Sequence, residues 1–146
     1  INQQWDVLAP EYMVDAVAQI KDYPTVSVAW AGYLGLAIAC GWDGNWEACK
    51  VAPYSSYYGP QGFDDMDEQI IQYHVGLSLD SEEAHQLEVA IRSCARLAVN
   101  LIYREQIEPQ SPMAFHVFAR ACKVMYRMGA ALQLKRLGYK FEEVLA

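Results

Sequence analysis

The sequence predicts a single all-α domain, a bundle of about five to six helices around one buried, uncharged central helix. Three observations carry that reading. Apolar residues recur at three- and four-residue spacing through the longer segments. The stretch from Tyr23 to Trp42 holds no charged residue. Proline, glycine and serine fall where helices begin or stop. With 146 residues, 53% of them hydrophobic and 20% charged, the chain can build an ample core and is not disordered. No repeat, low-complexity tract or linker divides it, so residues 1–146 are read as one domain.

The first helix is expected over Pro10 to Lys21, because proline suits the first helical position. Tyr12, Val14, Val17 and Ile20 are its apolar positions, and Glu11, Asp15 and Asp22 are expected to face out. Pro24 ends it, since the residue before a proline avoids helical geometry. "YPTVSVAWAGYLGLAIACGW" follows. Its twenty residues are long enough for a bilayer, but small residues are common in it and no basic cluster flanks it. It is therefore read as the central helix, near Val26 to Cys40. Ser27, Ala31, Gly35 and Ala39 form a small-residue stripe that lets a neighbour approach closely, inside the core or across a dimer interface. "GWDGNWEACK" reads as a turn and a short helical or irregular piece. Its Asp43-Gly44-Asn45 fails as a calcium loop, which needs glycine at the sixth position and a bidentate glutamate at the twelfth, here Tyr54.

"APYSSYYGPQGFDDMDEQI", Ala52 to Ile70, concentrates Tyr54, Tyr57 and Tyr58 in a connector that runs into four acids. Gly59-Pro60 and Gly62 supply turns. The connector is expected to fold onto the bundle, a ligand groove being the competing reading. Asp64, Asp65, Asp67 and Glu68 complement the positive end of a helix in which Met66, Ile70, Tyr73 and Leu77 recur. Asp65 and Glu68 stand at capping-box spacing. The same spacing joins Asp80 to Glu83 before a helix whose core face is Ala84, Leu87, Ile91, Cys94, Ala98, Leu101 and Ile102, with Pro109 and Pro112 at its exit. Arg92, Arg96, Asn100 and Arg104 line its opposite side. Ser111 and Pro112 open the last helix, expected to bury Phe115, Phe118, Ala119, Cys122, Tyr126 and Gly129. It runs to about Leu137, with Gly138 as its C-terminal cap, and "YKFEEVLA" reads as a short tail helix.

A net charge of −7 argues against nucleic acid as a partner. Residues 1–91 hold fourteen acids and two bases, whereas residues 92–146 hold nine bases and four acids. Acidic and basic helices are expected to lie side by side and neutralise each other, with a partner-binding surface as the alternative. His116, Arg120, Lys123 and Arg127 share one stripe of the last helix. With Arg92, Arg96 and Arg104, under Tyr57 and Tyr58, they would line a groove for a phosphate, a carboxylate or an acidic peptide.

Metal chemistry finds weak support. Glu82 and His85 make one E-x-x-H, where the carboxylate-bridged di-metal bundles need two and further glutamates. A solvated capping face is the preferred reading of that pair, and Asp67 and His74 with His85 are the remaining candidates for a single metal. No metal or cofactor is expected. Cys40, Cys49, Cys94 and Cys122 form no C-x-x-C pair and are read as free thiols in the cytoplasm, a Cys40–Cys49 bridge being the competitor. The chain opens on Ile1, which suggests a missing N-terminal piece, and no signal-peptide pattern stands there. No nucleophile-elbow, phosphate-loop, dinucleotide or zinc-protease motif occurs, and at six residues apart His116 and Cys122 point to different helix sides. The expected function is a soluble, acidic, non-enzymatic protein–protein interaction module, homodimeric, with no nucleic-acid or membrane partner. The alternative is an anion or small-molecule binding protein, or an enzyme, using the cationic stripe.

Overall fold

The computed structural model describes residues 1–104 and 111–139. The side chain of Arg104, Pro109, and the expected tail helix beyond Tyr139 lie outside that part. Among the described residues the fold has six helices and no strand. They are α1 Asn2–Gln19, α2 Pro24–Gly44, α3 Trp46–Val51, α4 Met66–Gln69, α5 Glu82–Arg104 and α6 Pro112–Arg136. The backbone of α4 widens into a π turn over Ile70–Val75, closed by Gly76 at φ 83°.

The architecture is the expected all-α bundle with α2 at its centre. Every residue of α2 from Ser27 to Ala39 is buried, and α1, α5, α6 and the π turn all pack on it. The helix is long and apolar enough to cross a membrane, with mean hydropathy 1.4, yet 72% of that stretch is buried beneath its neighbours. The packing on α6 is backbone against backbone. A Cβ on Gly129 would stand 1.9 Å from the carbonyl oxygen of Gly32, and one on Gly35 would stand 2.0 Å from that of Tyr126. The small-residue stripe is therefore used within the chain. Cys122 covers Ser27, Tyr126 and Ala130 cover Gly35, and Ala130 and Leu134 pack on Ala39.

Several expected details differ. α1 begins at Asn2, and Pro10 lies inside it on the exposed side. A proline there removes one intrahelical bond without breaking the helix, because the unpaired carbonyl can reach water. The buried face is consequently Trp5, Leu8, Tyr12, Met13 and Ala16, while Val14 is 73% exposed and Val17 is exposed as well. On α5, Ala95 and Val99 complete the core face and Leu101 points to solvent. Phe115 is 49% exposed. On α6 the residue level with Ser27 is Cys122, so Phe115, two turns earlier, passes the start of α2 at Pro24 and has little to pack on.

The caps divide in the same way. Ser111 Oγ accepts the Ala114 N–H at 3.1 Å. Gly138, at φ 94°, lets the N–H of Tyr139 reach the Leu134 carbonyl and its own reach that of Lys135, both at 3.0 Å, which satisfies the end of α6. Asp65 makes no side-chain cap on α4; its carboxylate accepts the Gln61 N–H at 3.1 Å instead. Asp80 is displaced by Ser81, which directly precedes α5 and accepts the Ala84 N–H at 3.1 Å.

The glycine crossing gives a direct test. Gly129→Ala should lower stability by about 2–3 kcal/mol in urea unfolding, since two backbones must separate to admit a methyl group. Gly44→Ala, with nothing within 4 Å of the new Cβ, should be neutral or stabilise by up to about 1 kcal/mol.

Candidate functional site

The aromatic connector is fastened to the bundle at every tyrosine. Tyr54 and Tyr57 are buried on a short 3₁₀ turn. The Tyr54 hydroxyl donates to Asp15 Oδ2 at 2.8 Å, and the Tyr58 hydroxyl donates to the same oxygen. Burial and the Asp15 carboxylate push the Tyr58 hydroxyl up to about 12. The Tyr57 ring packs on the His74 ring at 4.8 Å, and His74 Nε2 lies 3.1 Å from the Ser56 carbonyl oxygen. Trp30 Nε1 donates to the Phe63 carbonyl at 2.7 Å. The connector is thus a folded link, and Asp15, expected to face out, is its anchor on α1.

The metal candidates are dispersed. His74 is engaged by the connector, Glu82 accepts from Gln86 at 3.4 Å, and His85 is exposed. Among the described residues no group of three or more His, Cys, Asp or Glu stands close enough to hold a metal ion. All four cysteines are free thiols. Burial pushes Cys40, Cys49 and Cys122 up, which keeps them protonated and weakly nucleophilic.

A shallow recess opens between α2 and α5, bounded by Thr25, Trp30, Tyr33, Ile91 and Arg92. Its electrostatics do not suit an anion. Arg92 is held by Glu88 at 2.9 Å. Burial, followed by the carboxylates of Asp67 and Glu88, pushes the Tyr33 hydroxyl up. Asp67 itself is half-buried, and burial, aided by Glu68 and Glu88, pushes it up to about 6.

The cationic residues stand elsewhere. His116, Arg120, Lys123 and Arg127 are exposed on the outer side of α6, and Arg96 is exposed on α5. From Arg92 onward the described residues include eight bases and no acid. Of those whose side chains are described, Arg92 and Arg136 meet a carboxylate among the described residues, Arg136 through Glu83 at 2.7 Å. The expected neutralisation by acidic helices is therefore slight: Arg96, Arg120, Lys123 and Arg127 make no ion pair among the described residues. Val124, 57% exposed, and the exposed Met113 lie in the same stripe. Tyr57 is buried and Tyr58 is tied to α1, so the tyrosines and the cations are not gathered into one groove. Asp15 is signalled by no motif; it acquires its role from the connector, an element distant in sequence. Comparison with known protein families, curated proteins and solved structures finds no match to this chain.

Two outcomes follow for stability. Asp15→Ala should cost about 1–3 kcal/mol in urea unfolding, because it strands a buried tyrosine hydroxyl. For Asp67 the folded value near 6 lies above its ordinary 3.8, so the folded state holds the proton more tightly and stability rises as pH falls from about 7 to 4. Asp67→Asn should flatten that slope and raise stability at pH 7 by about 1–2 kcal/mol, the shift being discounted for partial solvent screening.

Proposed function

We propose that this protein is a non-enzymatic helical interaction module that docks an acidic protein partner on the outer face of α6 and the adjoining side of α5. One observation carries the reading: a stripe of exposed cations on α6 is left without carboxylate partners among the described residues and is interrupted by exposed apolar side chains. Apolar contact with charged flanks is how a protein surface gains both affinity and orientation. Arginine also favours carboxylates, which it binds bidentately. A small anion is the less favoured occupant, because these cations stand on an open helix surface and not in a concavity. We place this role in the cytoplasm, in keeping with four free thiols.

The test uses a fluorescent poly-glutamate peptide, followed by anisotropy, beside a phosphate and nucleotide panel followed by thermal shift. The peptide should bind, weaken with added salt, and lose affinity on the order of tenfold in Arg120→Glu/Arg127→Glu. The panel should leave Tm unchanged. Stabilisation by phosphate without peptide binding would move the reading to a small-anion site, and no response to either would remove both.

A further inference from the structure

We infer that the partner of the α6 face is a second copy of this chain, whose α1 supplies the complementary surface; this rests on the interaction reading above. On α1, Val7, Pro10, Val14 and Val17 recur at i, i+3, i+7 and i+10, and all four are exposed. That spacing is the apolar seam of a helix pair, here turned to solvent. Asp6 and Glu11 flank it and are exposed too. On α6 the stripe of Met113, Arg120, Val124 and Arg127, with Lys123 beside it, has the opposite charge around the same kind of apolar centre. Laid together, valine meets valine and carboxylates meet guanidinium groups. Lys21, past the end of α1, is the one base on the acidic side of this contact.

The two surfaces cannot satisfy each other within one chain, because the inner sides of both helices pack on α2 and the outer sides point away from it. The helices nevertheless adjoin. Trp5 lies 5.2 Å from Tyr126, whose hydroxyl donates to the Ile1 carbonyl at 2.8 Å. Neighbouring helices with complementary faces let one two-fold axis make both contacts at once, α1 of each copy on α6 of the other. The assembly then closes at two chains.

Sedimentation over a wide concentration range tests this on the full chain. The parent should pass from monomer to dimer as concentration rises. Asp6→Lys/Glu11→Lys and Arg120→Glu/Arg127→Glu should each weaken the dimer by on the order of tenfold, the sum of several exposed charge pairs. Mixing the two reversed chains should restore association, because each then meets opposite charge at both contacts. A parent that stays monomeric, or a mixture that associates no better than either variant alone, overturns the inference. If a reversed chain loses its helical circular dichroism, the single reversals Glu11→Lys and Arg127→Glu are mixed in its place and judged by the same rule. The chain reversed only on α1 keeps the α6 face intact. If poly-glutamate still binds it while the parent is monomeric, the second-copy inference falls and the interaction reading stands; if neither contact forms, both fall.

Discussion

The arrangement of this bundle depends on one contact, the crossing of α2 and α6 at Gly32, Gly35 and Gly129. With no side chain between them, the backbones touch, and Ile91 and Met125 close the space beside Gly32 at 3.2 and 3.4 Å from where its Cβ would be. Approach this close brings Cα–H groups within reach of facing carbonyls, a weak attraction repeated along the crossing. It also fixes the height of every other residue of α6 relative to α2. Cys122 comes to the Ser27 carbonyl, where its Sγ donates at 3.7 Å and the Tyr12 hydroxyl donates as well. Tyr126 comes to Trp5 and to the chain start. Three helices are thus registered by one carbonyl and the glycine contacts of the crossing.

The aromatic residues then fill the space that the crossing leaves on the other sides of α2. Tyr12 touches Trp5, Tyr54 and Phe63, and Trp30 touches Phe63 and Tyr33. Large rings supply much of the apolar burial, but each tyrosine or tryptophan brings a polar atom that needs a partner. Here the partners are mostly backbone carbonyls and Asp15. Among the described residues no buried side-chain nitrogen or oxygen lacks one. This explains why a connector rich in tyrosine, proline and glycine is held firmly: its turns bring the Tyr54 and Tyr58 hydroxyls to Asp15 on α1 and the Tyr57 ring to His74 in the π turn.

The helix content, the burial of α2 and the caps at Ser111 and Gly138 were readable because each rests on local chemistry. A run without charge has to be buried, a serine before proline starts a helix, and a glycine at positive φ ends one. Errors arose where tertiary packing outweighed the local signal. Pro10 is a good first residue, yet the burial of Trp5 and Leu8 extends α1 past it and rotates the assigned face away from Val14 and Val17. Asp80 and Ser81 are both capping residues, and only the true start of α5 decides between them. Of the site, the cationic stripe was readable from spacing, because its residues share one helix. Asp15 was not, since its partners lie about forty residues away and reach it only after the connector folds.

The charge division now has a physical reading as well. Had the basic helices been covered by the acidic ones, the separation of signs along the chain would reflect little more than the order of its helices. Instead α6 is held to α2 by uncharged groups such as Gly129, Ala130, Cys122, Met125, Tyr126 and Leu134, so its cations are free to occupy the outer side. The inner stripe of small residues, which fits either a core or a dimer interface, is used up in this crossing. The proposed contact with another chain therefore uses the outer helix faces, where apolar residues are fewer and charge decides orientation. Contacts of that kind are screened by salt, whereas the glycine crossing, having no charge to screen, is not. The association proposed for these faces would therefore weaken with salt, while the fold that presents them would stay intact.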